Sequence, residues 1–282
     1  MSETIIVNKN NLEKTIEAIK QSGPNKFHVL ADFDRTLTRA FVNGKYIPSL
    51  MSILRDEGYL TPEYSTKANE LFEHYHPIET NPLLPSAEKK QAMHEWYCKH
   101  FELLITSKLN KIDLAKAITS ENLQLREGAK DFFAFLKTKQ IPLVIMSASG
   151  AGMEMISQFL QTNNCWSENI HVISNELKWD ANGYAIDVKE PIIHSHNKHE
   201  TFIKDFPFFD KFVNRKNVLL IGDNQEDVGM NEGFEYSNLV KVGFLNNHIS
   251  EYLEVFKKTF DVVITDDGDM NYLNQLLNNF FA

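Results

Sequence analysis

Five short apolar runs, each closed by polar or glycine residues, limit what this chain can fold into more than any other feature. Phe27-His28-Val29-Leu30-Ala31 leads into Asp32, and Ile141-Pro142-Leu143-Val144-Ile145-Met146 leads into Ser147. Val218-Leu219-Leu220-Ile221 leads into Gly222-Asp223, and Val240-Lys241-Val242-Gly243-Phe244 and Val262-Val263-Ile264-Thr265 follow. Runs this short and this rich in Val and Ile read as strands buried on both faces of a parallel sheet. Helical spacing fills the gaps: Phe132, Phe133, Phe135 and Leu136 share one apolar face, and Ile156, Phe159 and Leu160 another. Strands alternating with helices predict an α/β, doubly wound, Rossmann-like parallel sheet.

The stretch from 43 to 125 breaks the alternation. It lacks Val-rich runs and carries helical patterns at Leu50, Ile53 and Leu54, at Ala68, Leu71 and Phe72, at Met93, Trp96 and Tyr97, and at Leu103, Leu104 and Leu109. It predicts a helical cap inserted after the first strand, with residues 1–42 and 126–282 forming the catalytic core. Pro77, Pro82 and Pro85 predict a loop in its middle. A second insertion, 170–188, carries the turn signal Asp180-Ala181-Asn182-Gly183 and predicts a β-hairpin.

Composition removes several classes of function. The formal net charge is −9 and no block of Lys and Arg is present, so a nucleic acid polymer is not an expected partner. An acidic protein can still take an anionic substrate if a local cation, such as a metal ion, sits in the site. Cys98 and Cys165 are the only cysteines and lack Cys-x-x-Cys spacing, which argues against structural zinc and a disulfide framework. Two thiols suit a reducing compartment. The start Met1-Ser2-Glu3-Thr4 has no basic region followed by an apolar one, and no stretch approaches the roughly 18 apolar residues of a membrane span. A cytoplasmic location with no membrane partner is expected.

The first three runs end on residues that can do chemistry. In open α/β sheets, ligands bind beyond the carboxyl ends of the strands, so Asp32, Ser147 and Asp223 are expected to converge. Asp32 and Asp34 lie two residues apart at a strand end, where paired acids repel unless a cation joins them. Mg²⁺ is the expected cation, because it prefers a few carboxylates together with phosphate oxygens. The plain alternative is that one Asp caps the next segment and the other faces water. Gly222-Asp223-Asn224-Gln225-Glu226-Asp227 adds acids at four-residue spacing, which a capped turn would also explain. Ser147-Ala148-Ser149-Gly150 is small enough for backbone N–H groups to approach a phosphate, although such clusters after strands are usually turns. Lys198 can neutralise phosphate charge, although a lone Lys is more often a surface residue.

The order of these features is specific. Strand-Asp32-Phe33-Asp34-Arg35-Thr36, strand-Ser147, Lys198 and strand-Gly222-Asp223-x-x-x-Asp227 resemble the four motifs of the haloacid dehalogenase superfamily of aspartyl-phosphate phosphatases. The resemblance spans nearly the whole chain. Asp32-Phe33-Asp34-Arg35-Thr36-Leu37-Thr38-Arg39, His74-Tyr75-His76-Pro77-Ile78-Glu79, Asn81-Pro82-Leu83-Leu84, Glu95-Trp96-Tyr97 and Asn197-Lys198-His199 are similar to the cytosolic pyrimidine 5′-nucleotidase (cytosolic 5′-nucleotidase III) family.

That resemblance implies a Mg²⁺-dependent hydrolase of nucleoside 5′-monophosphates, UMP and CMP foremost. Asp32 is implied as the nucleophile and Asp34 as the general acid and base. Asp32, the Asp34 carbonyl, Asp223 and Asp227 are implied at the metal. Thr36, Ser147, Ala148 and Lys198 are implied on the phosphate side, and Glu79 and His100 toward the base. Trp96 reads equally as a cap-core residue. Two positions depart from the family: His100 stands where a Ser is expected near the base, and Arg35 where an apolar residue follows the catalytic pair. A phosphatase for another small phosphomonoester, a nucleoside phosphotransferase and a non-catalytic binding protein are the competing readings. Intact motifs speak against the last.

Overall fold

In the computed structural model the described residues are 2–81, 83–198, 206–232 and 235–281; Pro82 and His199, named above, lie outside them. The chain opens with β1 (Thr4–Ile6) and α1 (Lys9–Ser22), then enters β2 (Phe27–Ala31). A small hairpin, β3 (Phe41–Val42) and β4 (Lys45–Tyr46), leads to four helices: α2 (Leu50–Asp56), α3 (Pro62–Thr80), α4 (Ser86–Thr106) and α5 (Lys111–Ala117). The alternation resumes with α6 (Ala129–Thr138), β5 (Leu143–Met146), α7 (Gly152–Thr162) and β6 (Ile170–Ile173). A second hairpin, β7 (Leu177–Trp179) and β8 (Ala185–Val188), follows. Then come β9 (Asn217–Gly222), β10 (Asn238–Leu245), α8 (Ile249–Thr259), β11 (Val262–Thr265) and α9 (Asn271–Phe281).

The main sheet has seven strands in the order β1-β11-β10-β9-β2-β5-β6. All neighbouring pairs are parallel except β1 with β11. Alternate residues feed two apolar layers. Val29, Ala31, Leu219 and Ile221 join the cluster on one face, and Leu30, Val218 and Leu220 join the cluster on the other. This two-sided burial is why the strands read as unbroken apolar runs rather than alternating ones.

From β2 the chain steps one way to β5 and β6, and later returns on the other side to β9, β10 and β11. The order therefore reverses between β2 and β9. Such a switch point opens a crevice at the strands' carboxyl ends.

Two sequence expectations need correction. Ile170–Ile173 is a strand of the main sheet, paired in parallel with β5, and the hairpin comprises only β7 and β8. Ile170, Val172 and Ile173 are buried, as a sheet strand requires. Pro77 lies inside α3 and not in a loop. It sits near the C-terminal end of α3, where the helix ends within a few residues anyway. Pro85 caps α4.

Candidate active site

Three of the chemically capable residues sit where a buried strand stops. Asp32 follows β2, Ser147 follows β5 and Asp223 follows β9, three adjacent strands flanking the switch point. Asp32, Asp223 and Asp227 each bring a carboxylate oxygen within 4.8 Å of the others. Lys198 bridges two of them: its Nζ donates to Asp32 Oδ1 and, at 2.8 Å, to Asp227 Oδ1. The other oxygen of Asp227 accepts from the N–H groups of Asp223 and Asn224, each at 3.0 Å. Asp227 is thus the buckle between the β9 turn and Lys198.

Arg35 makes a contact that sequence reading did not foresee. Its Nε donates to Asp223 Oδ2 at 2.7 Å, and its Nη1 donates to the Pro48 carbonyl. Four carboxylates (Asp32, Asp34, Asp223 and Asp227) are met here by the cations Lys198 and Arg35. Burial pushes the Asp32 carboxyl up to about 8; Lys198 opposes this, and Asp227, Asp223 and Asp34 add to it. Burial also raises Asp223, against the pull of Arg35. Burial would discharge Lys198, but Asp227 and Asp32 outweigh it and hold the ammonium charged. A divalent cation would relieve this crowding of carboxylates, and a cluster of hard carboxylate oxygens is the donor set such an ion takes.

Asp34 stands apart from the cluster. Its Oδ1 accepts the Leu50 N–H at 2.8 Å, at the first residue of α2. Burial pushes its carboxyl up to about 6, with the Leu50 N–H and Arg35 opposing. A carboxyl near 6 can give and take a proton near neutrality.

The loop after β5 lies beside these groups. Ser147 Oγ accepts the Ser149 N–H at 3.1 Å. Thr36 is fully buried, and its carbonyl accepts from Arg126 Nε at 2.8 Å, which places it in the turn behind Asp32. Glu79, at the end of α3, reaches across to the loop before Lys198: Ser195 Oγ donates to its Oε1 at 2.7 Å, and His76 Nδ1 lies 3.3 Å from its Oε2. Burial pushes Glu79 up, but these bonds outweigh it and hold the carboxyl below its ordinary range. Trp96 is buried on α4 and stacks on Tyr75 with centroids 5.8 Å apart. His100 is buried too, with Nε2 3.1 Å from the Gly150 carbonyl.

Sequence reading missed Arg126, Asn175 and Tyr97. Asn175 lies just past β6 and donates to the carbonyls of Ser149 and Ile193 at 3.1 and 2.8 Å. It is a polar residue at a strand end like the others, and the mistaken hairpin boundary hid it. No comparable local signal marked Arg126, and Tyr97 read only as part of an apolar helix face and of the family-like segment Glu95-Trp96-Tyr97.

Solved phosphoserine phosphatases share this fold. A phospho-aspartyl intermediate analogue of one aligns with a TM-score of 0.55 at 16% identity, covering 89% of this chain and 97% of that one. Fold, family and relatives together define the class: a phosphoric monoester hydrolase with a haloacid dehalogenase-like core. Residues 35–281 match the family described as pyrimidine 5′-nucleotidase (UMPH-1), and the chain belongs to that family. The human 7-methylguanosine phosphate-specific 5′-nucleotidase is 31% identical over 284 residues, covering 100% of this chain and 94% of its own. A Xenopus laevis form, 7-methylguanosine phosphate-specific 5′-nucleotidase A, is 32% identical over 267 residues, covering 94% and 91%. The crystal structure of cytosolic 5′-nucleotidase IIIB bound to cytidine aligns with a TM-score of 0.89 at 28% identity, covering 98% of this chain and 93% of that one. Among the described residues, no helix is long and apolar enough to cross a membrane.

Proposed function

We propose that this chain hydrolyses nucleoside 5′-monophosphates, UMP and CMP foremost, to nucleoside and phosphate, with Mg²⁺ as its cation and residues 43–125 as a cap over the site. The observation that carries the reading is the buried Asp32 at the switch point, gripped by Lys198 and crowded by Asp223 and Asp227.

In this mechanism an Asp32 carboxylate oxygen attacks phosphorus, and the bond from phosphorus to the 5′-oxygen breaks. Asp34 gives its proton to the departing 5′-oxygen. It then takes a proton from water as that water attacks the aspartyl phosphate; the bond between phosphorus and Asp32 breaks, and phosphate leaves. The raised carboxyl of Asp34 suits both roles. Ser147, the Ala148 N–H and Lys198 meet the phosphoryl oxygens, over which transition-state charge is spread. Mg²⁺, held by Asp32, the Asp34 carbonyl, Asp223 and Asp227, would neutralise the charge that otherwise keeps carboxylate and phosphate apart. Thr36 supports the turn that carries Asp32 and Asp34.

On the base side, Glu79 is held ionised at the mouth of the cap and can accept from the exocyclic amine of cytosine. The same carboxylate would also suit a cationic base. The names of the vertebrate relatives make a 7-methylguanosine nucleotide the second reading.

Phosphate release with Mg²⁺ from CMP, UMP, 7-methylguanosine monophosphate, AMP and a sugar phosphate tests the reading. CMP and UMP should be turned over fastest. Rates no higher than for the sugar phosphate would sink the nucleotidase assignment, and a preference for the methylated purine would install the second reading. Asp32→Asn should remove turnover of every substrate; full activity in that variant would exclude the covalent route.

A further inference from the structure

Three consecutive carbonyls of the loop after β5 are each held by a side chain. Tyr97 Oη donates to the Ala148 carbonyl at 2.7 Å, Asn175 Nδ2 donates to that of Ser149 at 3.1 Å, and His100 Nε2 lies 3.1 Å from that of Gly150. A carbonyl oxygen only accepts, so Nε2 of His100 carries the hydrogen. Burial pushes His100 down to about 4, which keeps the ring neutral near pH 7. Tyr97 and His100 are one turn apart on the same face of α4. The packing is close: a Cβ on Gly150 would lie 2.6 Å from Met51 Sδ and 2.9 Å from His100 Nε2.

A peptide plane fixed through its carbonyl has its N–H fixed as well. The plane that Tyr97 holds carries the Ser149 N–H, which donates to Ser147 Oγ at 3.1 Å. With that oxygen accepting, the Ser147 hydroxyl hydrogen is left to donate to a phosphoryl oxygen. The plane that His100 holds carries the Ala151 N–H, which donates to Ser149 Oγ at 3.1 Å. A cap helix therefore sets the geometry of a loop in the core.

We propose that Tyr97 and His100 are positioning residues that shape the phosphate-holding loop Ser147–Gly150 from the cap, and that His100 acts on the phosphate rather than on the base. This rests on the phosphatase reading of the site but not on the identity of the base.

The test uses Tyr97→Phe, His100→Ala and His100→Gln, the last retaining an N–H donor. The kcat and KM are measured for CMP, for UMP and for ribose 5-phosphate, which has no base. Binding of inorganic phosphate in the presence of Mg²⁺ is measured by calorimetry. Tyr97→Phe and His100→Ala should lower kcat/KM by a similar factor for all three substrates, about tenfold to a hundredfold for a misplaced catalytic group. Phosphate binding should weaken in both, and His100→Gln should recover most of the loss. Loss confined to the two nucleotides, with ribose 5-phosphate and phosphate binding unchanged, would overturn the proposal in favour of base contact. Unchanged values in Tyr97→Phe, which deletes one hydroxyl and no packing surface, would overturn it as well. Phosphate binding reads the loop directly, so poor nucleotide turnover by the parent protein would count against the nucleotidase assignment alone.

Discussion

Arg126 heads the fully buried side chains by volume. It donates to the carbonyls of Arg35, Thr36 (2.8 Å) and Gly268 (2.6 Å) and to Asn246 Oδ1 at 3.0 Å. Its guanidinium lies 3.9 Å from the Phe244 ring centroid and 3.0 Å from Asp267. Burial pushes its pKa down to about 10, so it stays charged. Asp267 in turn accepts the N–H groups of Ala40 and Phe41 at 2.9 and 3.1 Å. One cation thus ties the back of the Asp32–Thr36 turn to the chain entering β3. Removing one partner of a buried pair leaves the other charge uncompensated and costs about 3–5 kcal/mol. Arg126→Met should lose that much stability in urea unfolding. Arg126→Lys, which keeps the charge but not the planar fork, should lose less. A deficit below about 1 kcal/mol in Arg126→Met, the size of a single ordinary hydrogen bond, would show that the hub is not what holds the turn.

Among the elements, β9 and the turn after it leave no room for a side chain at Gly222. A Cβ on Gly222 would lie 2.5 Å from both Cβ and Oδ2 of Asp227, closer than real side chains approach. Gly222→Ala must push Asp227 away from Lys198 and from the two N–H groups it accepts. Activity should fall by about a hundredfold, as for a catalytic group displaced by an ångström. Stability should fall by only about 1–3 kcal/mol, the usual cost of overpacking. Gly243, the register partner of Gly222 on β10, is the control. Its added Cβ would meet the Phe260 ring at 2.5 Å rather than Asp227, so Gly243→Ala should destabilise while sparing kcat. Equal losses of kcat in the two variants would mean that general disturbance of the sheet, not displacement of Asp227, is responsible. This scale also shows what sequence could reveal. The inner strands were legible because both their faces are buried, and the strand-end acids because a fixed strand direction brings such ends together. Edge strand β1 was not legible, being three residues long and only partly buried. The grips on the loop after β5 come from Tyr97, His100 and Asn175, distant in sequence and meeting the loop only in the folded chain. Arg35 was noticed as a departure from the family pattern, but its partner, 188 positions away, could not be read from the sequence.

For the whole molecule, what matters is how the helices between β4 and α6 join the sheet. They do not form a separate core. Leu50, Ile53, Tyr64, Met93, Trp96 and Phe101 belong to the same apolar cluster as Val29, Phe33 and Ile145. Polar ties cross the same boundary, from Tyr97 and His100 to the loop after β5 and from Glu79 to Ser195. Two units with separate cores would unfold separately, whereas one continuous core unfolds in a single cooperative step with all probes coincident. Trp96 reports from the helices, and Trp166 and Trp179 from the rest of the chain. In a Trp166→Phe, Trp179→Phe variant the fluorescence of Trp96 alone should therefore change at the same urea midpoint as the far-ultraviolet circular dichroism of the whole chain. If Trp96 changed first, with most of the circular dichroism intact, the helices would be separable from the sheet despite their shared apolar cluster. Coincidence would mean that the helices are held in place by the same packing that holds the sheet, so Asp34, tied to the first residue of α2, is positioned by the core as a whole.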